Sequence, residues 1–176
     1  MRAILLALIA STSLTVQTPA PATGTLIVNG AKVTVQSSSA VSYPGHLGGT
    51  GRFISVLLSD KPANPGTFAE YTRTGAGERL VPGIFEGAWA SMHTEKGFSG
   101  FTFTIDGDQR ILTNQVLVGG QNGMFSLSPD DLVLEVTSVT PRFIGRIRSK
   151  QPVLELGEYK MSLDAAFNVV VTPADK

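Results

Sequence analysis

Cysteine is missing from this chain altogether. Without a thiol there is no disulfide, no thiolate metal site, no cysteine nucleophile and no lipid-anchored N-terminal cysteine. Histidine is nearly missing too, because only His46 and His93 could act as imidazole bases or ligands. Histidine metal sites usually show a spaced pair such as H-x-H or H-E-x-x-H, and neither occurs. No metal and no cofactor are therefore expected. Charge is scarce, at 16% of residues, and balances to a formal net charge of zero. That argues against a nucleic-acid or anionic-membrane partner. No apolar run approaches the roughly 20 residues of a membrane-spanning helix, so no membrane span is expected.

The catalytic and nucleotide-binding patterns are missing as well. Pro44–Gly51 is rich in glycine, but it lacks the Gly-Lys-Ser/Thr that opens a helix in a phosphate-binding loop, and G-x-G-x-x-G is absent. Gly97-Phe98-Ser99-Gly100-Phe101 resembles a nucleophile elbow with its second glycine one place early, and no strand-to-helix turn follows it. Ser99 is therefore read as a turn serine. The close carboxylate pairs, Asp106/Asp108 and Asp130/Asp131, lack the further oxygen ligands of a calcium loop and read as turns. Ser128-Pro129 ahead of the second pair suits a turn or a single capped helical turn.

What the chain does have is glycine, 19 residues, together with many β-branched residues, a mixture that favours strands and tight turns. Its 176 residues suit one domain with a sizeable core. Met1-Arg2 followed by the apolar run Ala3–Ala10 and then small and polar residues has the form of a secretory signal. Residues 1–22 are read as signal peptide and flexible lead-in, with small residues permitting cleavage after Ser13 or after Ala22. Residues 23–176 are read as a single all-β domain. A disulfide-free exported domain points to a bacterial periplasm or to secretion.

Period-two patterning supplies the fold class. From Tyr159 to Val171, Met161, Leu163, Ala165, Phe167, Val169 and Val171 alternate with mostly polar residues, which describes one long strand, apolar on one side. Thr25–Val28 and Lys32–Val35 flank Asn29-Gly30, a hairpin turn whose two residues tolerate positive φ, and Ser37–Tyr43 can extend the second strand. Phe53–Leu58 reads as a strand buried on both sides, stopped by Pro62 and Pro65. Thr67-Phe68-Ala69-Glu70 fits a capping box and predicts one short helix over Thr67–Arg73. Ile84–His93, Phe98–Ile105, Arg110–Val118, Leu132–Val139 and Arg142–Ser149 complete a set of about nine strands. The expectation is an antiparallel β-sandwich or a small β-barrel.

Two groups of residues carry the functional expectations. On the strand from Arg142, the cations Arg142, Arg146, Arg148 and Lys150 share one outer face, opposite Phe143, Gly145 and Ile147. Such a stripe can dock a polyanion or an acidic partner. It can equally be a solvated strand whose charges discourage edge-to-edge pairing. Trp89, the lone tryptophan, shares a strand face with Ser91 and His93. The three can line a small-ligand pocket, or the tryptophan can simply fill the core.

Three segments, Gly24–Gly30, Val56–Pro62 and Tyr159–Phe167, together resemble exported bacterial all-β proteins of unassigned function. The resemblance is structural, so it transfers no catalytic or binding residue. The chain resembles neither a lipocalin, since it lacks an early G-x-W, nor an outer-membrane barrel with its aromatic girdles. The expected function is an exported β-domain acting as a binding or interaction module. The alternatives are a small-ligand carrier with a pocket near Trp89, or a hydrolase using His46 or His93.

Overall fold

The computed structural model describes residues 20–45, 50–62, 99–119 and 125–173. Within them the chain is a single curled sheet of nine strands that forms a half-barrel. The strands are β1 (Ala20–Val28), β2 (Ala31–Pro44), β3 (Arg52–Ser59), β4 (Gly100–Ile105), β5 (Ile111–Leu117), β6 (Leu132–Ser138), β7 (Arg142–Ser149), β8 (Leu154–Leu156) and β9 (Tyr159–Pro173). They lie in the order β5-β4-β3-β2-β1-β9-β7-β6, with β8 beside β9. Every pairing is antiparallel except a short parallel contact of β2 with the end of β9.

β9 is the strand the others are arranged around. β1 pairs along one edge, β7 and β8 along the other, and β2 joins it through Ala40–Val171 just beyond the start of β1. Its alternation is as read from the sequence: Met161, Leu163, Ala165, Phe167 and Val169 are no more than 3% exposed. Phe167 is the centre of the packing, with its ring 5.0 Å from that of Phe143 and 5.8 Å from that of Phe103. It fits because residue 145 is glycine: a Cβ there would fall 2.9 Å from the Phe167 ring and 2.6 Å from the Glu135 carbonyl.

The local signals explain most element boundaries. Asn29 and Gly30 both have positive φ, as a type I′ hairpin requires. Asn29 also docks the turn on β9, its Oδ1 accepting from Lys160 N at 2.8 Å. Between β4 and β5 the left-handed residue is Gln109, three residues past the buried Asp106. Ser128 caps a single 3-10 turn at Pro129–Asp131, accepting from Asp130 N.

The structure amends the reading in two places. Ala20–Ala22, taken as unstructured lead-in, belongs to β1, and Ala22 is buried opposite Phe167. The segment carries little apolar periodicity, so pairing with β9 decides its conformation. β8 is an added strand, three residues long and too short for a periodic signal. The helix expected at Thr67–Arg73 and the strand expected at Ile84–His93 lie outside the described residues.

Candidate functional site

The sheet presents two outer surfaces of contrasting chemistry. The first covers β6, β7 and β9. Phe143, Gly145 and Ile147 are buried and Arg142, Arg146 and Arg148 lie on the other side, as alternation requires, while Lys150 is exposed one residue past the end of β7. Neighbouring strands answer three of these cations. Arg146 makes a bidentate pair with Asp164 of β9, Nε to Oδ1 at 2.7 Å and a terminal nitrogen to Oδ2 at 2.6 Å. Arg148 reaches Glu135 of β6 at 3.4 Å. Arg142 donates to the Asn168 side chain and, at 2.7 Å, to its carbonyl. Lys150 has no carboxylate within ion-pair reach among the described residues. The Arg146 guanidinium holds the Asp164 carboxyl below its ordinary value, and Asp164 raises Arg146 in turn. Two of the four cations, Arg146 and Arg148, are thus matched by carboxylates across the strands, and Arg142 by a neutral amide.

The second is the side of β2, β3, β4 and β5 that faces away from Phe101 and Phe103. Here alternation gives hydroxyls: Ser37 and Ser39 on β2, Ser55 and Ser59 on β3, Thr102 and Thr104 on β4. Strand register sets them in rows. Val41, Ser55, Thr104 and Thr113 form one row; Ser39, Leu57, Thr102 and Gln115 the next; Ser37, Ser59, Gly100 and Leu117 the third. Rows two residues apart are about 7 Å apart, and neighbouring strands about 4.8 Å. β3 and β4 are buried on this side as well as on the core side, with Ser55, Leu57 and Thr102 each 1% exposed.

Two groups of polar side chains stand out on this side. Tyr43, Ser55 and Thr104 form a connected chain, the Tyr43 hydroxyl 2.9 Å from Ser55 Oγ and the latter 2.5 Å from Thr104 Oγ1. Ser37 Oγ, Thr102 Oγ1 and Gln115 Oε1 are buried and have no hydrogen-bond partner among the described residues. Each such atom costs about 1–3 kcal/mol relative to a satisfied one. Thr102 and Gln115 are direct cross-strand neighbours, so two of the three stand side by side. The alternation Phe101-Thr102-Phe103-Thr104 makes the hydroxyl face legible in sequence, but an unmet hydrogen bond has no sequence signature.

The remaining polar groups are consumed by structure. Ser99, the false elbow serine, takes Gly119 N on its Oγ at 2.8 Å while its own N–H goes to Asp60 Oδ1. Asn114 spans from β5 to Leu127, accepting from its N–H and donating to its carbonyl, so its amide imitates a strand partner along the β5 edge. Burial pushes the Asp106 carboxyl up, but hydrogen bonds from the Arg110 side chain, Arg110 N and Asp108 N outweigh it and leave the group below its ordinary value. Among the described residues no three His, Asp or Glu side chains cluster as a metal site would require. His46, Trp89, Ser91 and His93 lie outside the described residues.

Compared with protein-family models, curated proteins and solved structures, the chain finds no match in any of the three.

Proposed function

We propose that this chain is an exported β-domain that works as a binding module, and that the hydroxyl-rich side of β2–β5 is the part of the sheet that serves it. The observation that carries this reading is the set of buried atoms Ser37 Oγ, Thr102 Oγ1 and Gln115 Oε1, unpartnered among the described residues, on one hydroxyl-rich sheet face. Buried polar groups are nearly always hydrogen-bonded, so three that are unmet among the described residues, all on a single face, support partners that come from beyond those residues. The signal-like N-terminus and the resemblance to exported bacterial β-proteins support the compartment. The β6–β7–β9 surface is the weaker candidate, because its arginines already have partners.

A ligand screen by thermal shift tests the reading, run in parallel on the wild type and on Thr102→Val/Gln115→Leu. The expected result is a compound that raises the melting temperature of the wild type and leaves that of the variant unchanged. Compounds that raise both equally would place the binding site elsewhere.

A further inference from the structure

We propose that two copies of this chain join edge to edge through β6, in an antiparallel pairing centred on Leu134. β6 ends the sheet order, and among the described residues no strand lies on its far side. Its inward residues Leu134 and Val136 pack on the core yet stay half-buried. Phe143 and Ile147, one strand further in, are fully buried. An edge strand offers a row of unpaired backbone donors and acceptors that a second strand can take up. Leu132–Ser138 carries no lysine and no proline, the residues that commonly blunt such an edge.

Symmetry and charge together select a second copy and a single register. The regular part of β6 is Leu132–Val136, bounded by the 3-10 turn at Pro129–Asp131 and by the bulge between Val136 and Ser138. Leu134 is its midpoint, so a two-fold axis there pairs the whole regular stretch with its counterpart. On the core side Leu134 meets Leu134 of the second copy, and Leu132 meets Val136. On the outer side Glu135 stands opposite Val133 of the second copy, whose neighbour on β7 is Arg148. Sliding the pairing by two residues either way brings like charges together: Glu135 against Glu135, or Asp131 against Glu135. Charge therefore admits the register centred on Leu134 and rejects its neighbours.

The opposite end of the sheet limits the assembly to two copies. There Val116 of β5 takes Phe125 as a partner, and the Asn114 side chain bonds Leu127 through both its oxygen and its nitrogen. β6 is then the edge left open among the described residues, and an isologous contact through it closes on itself instead of growing into a filament. So short a pairing makes a small interface, below about 1,200 Å² in total, and the dimer dissociates readily on dilution.

Sedimentation equilibrium of the full chain, from about 10 μM to about 1 mM, tests the pairing on the wild type, Val133→Glu and Val133→Lys. Residue 133 is half-buried on the outer side, next to Arg148 of its own chain and opposite Glu135 of the second copy. The wild type should pass from monomer to dimer across this range. Val133→Glu should weaken the dimer about tenfold and Val133→Lys should tighten it, because each sets two charge pairs, like or opposite, across the axis. Hydrogen exchange on the wild type gives a readout that needs no variant: amides within Leu132–Val136 should exchange more slowly at high concentration. A wild type that stays monomeric throughout overturns the proposal. So does a dimer whose affinity is the same in both variants, or whose β6 exchange does not change with concentration, since the contact then lies on another face. Oligomers that keep growing beyond two copies also overturn it.

Discussion

Phe167 and Asn168 are adjacent in the chain and opposite in environment. Phe167 is 3% exposed, against Phe143 and Phe103, whereas Asn168 faces solvent and accepts from Arg142. Phe167→Asp removes a large buried ring, which alone costs about 3–5 kcal/mol, and adds an unpaired buried charge. Against a typical domain stability of about 5–15 kcal/mol, little folded protein should remain. Asn168→Asp sets a carboxylate beside the Arg142 guanidinium and should stay within about ±0.5 kcal/mol of wild type. Denaturation curves of the two variants decide the matter, and equal damage from both would contradict the assigned faces. Asp106 makes a second residue-level prediction. Its folded pKa lies below the ordinary 3.8, so its contribution to stability is present above that value and is lost as pH falls through the folded pKa. Asp106→Asn should therefore lower the melting temperature at neutral pH, and the gap to wild type should narrow once pH drops below about 4. A gap that holds constant into acid would show that the carboxylate's charge is not what secures the turn.

At the scale of elements, β7 is held between two acids on neighbouring strands. Glu135 on β6 faces Arg148, and Asp164 on β9 takes Arg146 in a bidentate grip. Exposed pairs of this kind contribute little each, typically about 0–1 kcal/mol. Their larger effect is on the surface field, because each acid cancels a cation that would otherwise face solvent. Wild-type protein should thus be retained only weakly on a polyanion column near 0.15 M salt, where charges are screened beyond about 8 Å. Asp164→Asn releases Arg146 and should increase retention, with elution moving to higher salt. Strong, steeply salt-dependent retention of the wild type that disappears in Arg142→Gln/Arg146→Gln would instead make the stripe a docking surface.

At the scale of the molecule, the sheet is completed by strands from its two ends. β1 lies between β2 and β9, and where β1 starts, β2 and β9 meet directly. The first turns of β1 are therefore part of the sheet: Ala20 pairs with Ser38, Pro21 with Ser37, and Ala22 is 4% exposed opposite Phe167. Cleavage after Ala22 would remove all three and set a charged amine beside the core. Cleavage after Ser13 would leave β1 whole. Intact-mass measurement on exported material should accordingly give a mature chain that retains Ala20–Ala22. A mature chain beginning at Thr23 would mean that β9 is held without the first residues of β1.

The sequence by itself determined the faces. Met161 to Val169, Phe143 and Ile147, and the Asn29-Gly30 turn could be assigned because a strand's side chains alternate and a type I′ turn demands positive φ, both local constraints. The outer placement of Arg142, Arg146, Arg148 and Lys150 follows from the same rule. Tertiary structure alone decided who stands beside whom. That Asp164 and Glu135 neutralise Arg146 and Arg148, that Ala20–Ala22 become strand, and that Thr102 and Gln115 are neighbours without partners among the described residues all depend on registers between segments as far apart as Ala22 and Phe167. Pairing between strands is fixed by the backbone ladder and the shared core, not by any residue's own preference. A hydroxyl left without a partner is a fact about every group around it, and no single stretch of sequence contains that.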